Sequence, residues 1–172
     1  MNSGRNSSVR EKGFTIVEVM VSLAVIVLFV SVVFWAQLMM NKQAAIARLY
    51  TGALAAAQSQ IDAVQNLSST ALSNAYSSGI LSTTAQQVSI ASGSVQLSST
   101  PATVIVYSDP QLIVSGSLGT YTGNQTTTLK VTGTTALGTG NFHYYSANVT
   151  VSYLYCSSTY TLTLQTARSD AP

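Results

Sequence analysis

Lys12-Gly13-Phe14-Thr15-Ile16-Val17-Glu18-Val19-Met20-Val21-Ser22-Leu23 opens an apolar run that continues to Met40, and the reading of this stretch decides the fold. From Phe14 to Met40 there is no Lys, Arg, Asp, Pro or Gly, and Glu18 is the one ionisable side chain. As a helix rising ~1.5 Å per residue the run reaches roughly 40 Å, enough to cross a ~30 Å hydrocarbon core with some tilt. A carboxylate inside such a segment costs about 2.5–3.5 kcal/mol for Asp at mid-membrane and less near an end, so a partner for Glu18 should exist. A plain signal anchor would let Glu18 snorkel to the interface, but that reading gives no reason for a Gly directly before Phe14.

Gly13 closes a short basic leader, Phe14 and Thr15 follow it, and Glu18 is the fifth residue counted from Phe14. This arrangement resembles the leader-peptidase site of type IV pilins and type II secretion pseudopilins, and the resemblance covers about Lys12 to Gln65. It implies an α+β, pilin-like fold, with a long N-terminal helix packed on a C-terminal antiparallel sheet. It also implies cleavage after Gly13, N-methylation of Phe14 as the new N-terminus, and assembly into a helical filament through Glu18. The expected partners are other pilin subunits, a prepilin peptidase and methyltransferase, an inner-membrane assembly platform, and membrane lipid before assembly. The protein would sit in the inner membrane with its head outside the cytoplasm, then move into an extracellular or periplasmic pilus. The physical logic is simple: cleavage creates a positive amine at Phe14, and Glu18 of a neighbouring subunit can pair with it where an unpaired charge would cost several kcal/mol.

In chain order, residues 1–13 form the leader, with Arg5, Arg10 and Lys12 against Glu11, a positive flank that stays cytoplasmic. A removable secretory signal would have an apolar core of ~7–15 residues ending at a small-x-small site, which Phe14 to Met40 does not match. Residues 14–40 are the membrane and assembly half of the helix, and 41–66 its amphipathic half. There Ile46, Tyr50, Leu54, Ala57, Ile61 and Val64 recur at spacings of three and four and mark the face toward the head. Gly52 reads as a soft point costing ~1 kcal/mol relative to Ala. Many major pilins carry a Pro in the membrane half, whereas this chain has none before Pro101.

Residues 67–172 form the head. Leu67 to Gln87 is a Ser/Thr/Ala-rich connection with a short helix near Thr70 to Tyr76. From Val88 the period becomes alternating. Ser92-Gly93 should turn one hairpin, Asp109-Pro110 a second between Thr103–Tyr107 and Leu112–Ser115, and Cys156-Ser157-Ser158 a last one. Thr127 to Thr132 is a further strand, with loops at 116–125 and 133–141. In the last hairpin Ala147, Val149, Val151, Tyr153 and Tyr155 share one face, as in a sheet laid on a helix.

Charge and chemistry narrow the function. The whole chain has 7 basic and 5 acidic residues. Beyond Gly13, Lys42, Arg48, Lys130 and Arg168 balance Glu18, Asp62, Asp109 and Asp170, so the apparent basicity belongs to the leader. Charged residues are 7% of the chain, against ~25% in ordinary soluble domains, and Ser and Thr supply the polar surface. DNA binding would need a basic groove beside the clustered tyrosines, and only Lys130 and Arg168 are basic in the head. Cys156 is the single cysteine, so no intramolecular disulfide forms. His143 is also single and reads as a sheet residue, Asp109 as a turn residue, and Asp109 and Asp170 as too isolated to bind calcium. No catalytic residue, cofactor or metal is expected. Asn66, Asn124 and Asn148 match glycosylation sequons at the rate expected of a Ser/Thr/Asn-rich chain. The reading is a structural subunit, a minor pilin, with two alternatives: a secretion-system minor pseudopilin, and a monomeric single-pass anchored domain.

Overall fold

The computed structural model describes residues 14–114, 117–137 and 140–170; the leader, including Gly13, lies outside them. The architecture is α+β: one long helix, a short second helix and a six-stranded antiparallel sheet. The chain divides into two compact units, one up to Ala44 and one from Ala45 onward. The boundary falls inside the first helix, α1 (Ile16–Gln65).

In the first unit the side chains of Ile16, Val17, Met20, Leu23, Phe29 and Trp35 are all exposed. None of the most apolar part of α1 is buried among the described residues, so its hydrophobic surface stands open. Thr15 caps the helix, its Oγ1 accepting from the Glu18 N–H at 3.3 Å. Ser22 and Ser31 return their hydroxyls to the carbonyls of Glu18 and Val27, which satisfies them inside an apolar segment.

The second unit is built on the end of α1. Its buried face is Leu49, Ala53, Ala57, Ile61 and Val64. The sequence expectation holds at Ala57, Ile61 and Val64 and is corrected nearer the start, where Tyr50 is 49% exposed and Leu49 is buried in its place. Gly52 explains the rotation. A Cβ there would sit 1.5 Å from the carbonyl oxygen of Val106, so the helix touches strand backbone where Gly alone permits it. Gly52 is therefore a packing requirement, which corrects its reading as a soft point.

Helix α2 (Ser69–Ser77) is capped by Ser68, whose side chain accepts from the Ala71 N–H. The strands follow as β1 (Gln86–Ala91), β2 (Ser94–Leu97), β3 (Ala102–Val114), β4 (Ser117–Leu137), β5 (Gly140–Tyr155) and β6 (Ser158–Ser169). Their order is β2-β1-β4-β5-β6, with β3 also paired to β4. The β1–β2 hairpin turns at Ser92-Gly93 and the β5–β6 hairpin at Cys156-Ser157, each through two residues with positive φ. Two such residues make the turn whose twist matches that of the flanking strands.

Three expectations are overturned. Asp109-Pro110 does not turn a hairpin: both residues lie within β3, which pairs along β4 with a register shift between Ser108 and Ile113. A Pro is tolerated there because β3 has β4 on one edge only and the pairing is irregular at that point. The expected loops at 116–125 and 133–141 are largely strand, since Ser117–Leu137 is β4 and β5 starts at Gly140. Gly and Thr are the commonest residues there; Thr favours a pleated, half-buried surface, and pairing with β3 and β5 overrides the glycines.

Because β5 occupies one edge of β4, β3 and β1 share the other, β3 along Ser117–Gln125 and β1 along Thr127–Leu129. Two buried clusters result. Leu49, Ala53, Ala57 and Ile61 meet Val106, Val149, Val151 and Tyr153. Val64, Leu67 and the α2 residues Leu72 and Ala75 meet Val88, Leu129, Val131 and Tyr145. Arg168 closes the end of α1, its guanidinium donating to the carbonyls of Val64 and Gln65. A cation suits the negative end of the helix dipole.

Candidate assembly site at the helix amino end

Phe14 is 79% exposed, Thr15 caps α1 and Glu18 lies in the first turn. Thr15-Ile16-Val17-Glu18 has the capping-box pattern, and the bond from the Glu18 N–H to Thr15 Oγ1 is half of that motif. That signal was legible in the sequence beside the cleavage pattern. Its consequence is that the carboxylate stands at the positive end of the helix, close to the start of the described chain, where negative charge is favoured. Phe14, Val19, Ser22, Leu23 and Ile26 line an open apolar groove of about 400 Å³. Among the described residues from Phe14 to Met40, Glu18 is the one charged side chain, so an incoming cation has one target.

Residues 9–34 match the family model for the prokaryotic N-terminal methylation motif. The chain carries the type IV pilin and pseudopilin signature. Neither a curated protein nor a solved structure matches it. The motif implies assembly of this pilin-like chain with other pilin subunits and processing by a prepilin peptidase. The proteins defined by it are structural rather than catalytic.

The head residues singled out from sequence fall in separate places. Cys156 is exposed at the β5–β6 turn. The side chain of Asp109 lies outside the described ones. Asp170 is far from isolated, which corrects its reading. One of its carboxylate oxygens accepts from the His143 backbone N–H at 2.6 Å. The other lies 3.0 Å from His143 Nδ1 and 3.0 Å from the Tyr145 hydroxyl, which donates to it. Burial opposes ionisation of Asp170, but the hydrogen bonds from His143 and Tyr145 outweigh it and hold the carboxyl below its ordinary range. Tyr145 shows the reverse: burial, then its bond to Asp170, push the phenol well above its usual value. Tyr76 lies over the His143 ring, with centroids 4.0 Å apart. The cluster ties the end of β6 to β5 and brings it against α2, whose Leu72 carbonyl oxygen lies 3.5 Å from the Tyr145 hydroxyl. This is a structural lock. Sequence reasoning missed it, yet extending the β5–β6 register one pair beyond Tyr144↔Ser169 places His143 opposite Asp170.

Proposed function

We propose that this chain is a minor pilin, a filament subunit cleaved after Gly13, methylated on Phe14 and held in register by Glu18. The observation that carries the reading is one carboxylate, five residues after the Gly13–Phe14 junction, in the otherwise uncharged run from Phe14 to Met40, whose apolar surface none of the described residues buries. Before assembly that surface is solvated by lipid in the inner membrane, with the head outside the cytoplasm. In the filament, neighbouring helices replace the lipid, and the Phe14 amine of one subunit finds Glu18 of another. The minor assignment draws on the opening Glu18-Val19-Met20-Val21-Ser22-Leu23-Ala24-Val25 and on the Ala-rich second half of the helix with Gln58 and Ile61. The activity is mechanical, and the chain is the substrate of its processing enzymes. The head offers DNA little charge, because the Arg168 guanidinium is already committed to the end of α1.

Intact-mass measurement on protein taken from its native membrane tests the processing step. The expected mass is that of a chain starting at Phe14 with one added methyl group; a species retaining residues 1–13 would reject the reading.

A further inference from the structure

The shared edge of β4 leaves a gap. β3 ends its pairing at Gln125 and β1 begins at Thr127, and between them the sheet edge opens into a cavity of about 190 Å³ under the helix residue Gln60. Its floor is buried, formed by Val88, Gln125 and Thr127, which are 3%, 5% and 5% exposed. Gln60 and Gln87 form its walls, and Ala102 is exposed at its rim. Every residue lining it is uncharged.

We propose that this cavity is a binding site for a single neutral sugar ring. Three carboxamides, each able to donate and accept, together with the Thr127 hydroxyl, match the mixed donor and acceptor character of sugar hydroxyls. Val88 supplies an apolar patch for the C–H face of the ring. A charged ligand would be buried without a counter-charge, which is strongly unfavourable. The volume fits about six waters at ~30 Å³ each, roughly one pyranose and well below the ~300 Å³ at which pockets for larger ligands begin. Ligand hydroxyls that reproduce the hydrogen bonds of solvent in such a polar cavity replace it at little cost. The site lies wholly within the unit from Ala45 onward and does not depend on the chain entering a filament.

Saturation-transfer NMR on the full chain, in a detergent without sugar head groups, tests this with methyl glycosides of glucose, galactose and N-acetylglucosamine, and with glucuronate as the charged comparison. At least one neutral glycoside should receive saturation from the protein and glucuronate should not. Gln125→Leu, close in volume but unable to hydrogen-bond, should weaken binding about tenfold, the effect of losing one or two net hydrogen bonds. Ala102→Leu fills the rim from an exposed position that leaves the core untouched, and should abolish the signal. The proposal is overturned if no neutral glycoside receives saturation, if glucuronate binds as well, or if Ala102→Leu binds like the wild type.

Discussion

Asp170 shows how one residue holds a remote pair of elements together. Its carboxyl ionises more readily in the folded head than in the unfolded chain, where Asp has a pKa of about 3.9. The unfolded state therefore takes up the proton first as pH falls, so the stabilisation is fully present above that value and is lost as pH drops through the lower folded one. The melting temperature of the wild type should fall below about pH 4 more steeply than that of Asp170→Asn. At neutral pH the variant should be destabilised by about 1.5–3 kcal/mol, the usual worth of hydrogen bonds to a charged group. Thermal melts across pH 2.5–7 check both, and identical pH profiles for the two proteins would show that Asp170 contributes nothing in its ionised form. This lock was hidden in a linear reading because its members are brought together only by the β5–β6 pairing, whereas the turn that sets that pairing was legible as Cys156-Ser157-Ser158, one residue longer than the Cys156-Ser157 turn of the structure.

At the scale of elements, hydrophobic pattern and turn chemistry located α1, α2, the β1–β2 hairpin and the β5–β6 hairpin, because each has its own local signal. The first is an unbroken apolar run, and the second was placed near Thr70–Tyr76 in the Ser/Thr/Ala-rich connection, where the structure adds the Ser68 cap. Ser92-Gly93 and Cys156-Ser157 turn the two hairpins. The extents of β3 and β4 were not legible. Asp109-Pro110 and the Gly-rich stretches around Gly119, Gly123 and Gly133 have the composition of turns, and tertiary pairing overrides it. The buried face of α1 was misplaced by one residue for a related reason. Gly52, Ala53 and Ala57 carry little hydropathy, yet their small size is what lets the helix approach Val106. A direct prediction follows from that contact. Gly→Ala within a helix ordinarily stabilises by up to ~1 kcal/mol. Here Gly52→Ala must displace the helix from the Val106 backbone and should destabilise the head by about 3 kcal/mol, at the upper end of overpacking costs. Chemical denaturation of the two proteins decides the sign, and a more stable Gly52→Ala would mean the close approach is absent in solution.

For the whole molecule, the two units have opposite needs. The described part before Ala45 is mostly apolar and exposed, while the part from Ala45 onward carries both buried clusters. The fragment 42–172 should accordingly be soluble and β-rich with one long helix, and a circular dichroism spectrum that is disordered or wholly helical would contradict the architecture. The full chain needs a partner for its exposed helix, first lipid and then other subunits, and the central claim is that Glu18 makes the second association specific. Glu18→Ala removes a carboxylate that is only costly in a lone membrane helix, so cleavage and membrane level should match the wild type. In a filament it leaves a Phe14 amine buried without its counter-charge, at about 3–5 kcal/mol. A penalty of that size lowers an association constant by roughly a few hundred-fold or more. Immunoblotting of sheared filaments from cells making either protein is the measurement that bears most directly on this. The account predicts wild-type chain in the filament fraction and almost no Glu18→Ala, with equal amounts of both in the membrane; incorporation of Glu18→Ala at the wild-type level would contradict it.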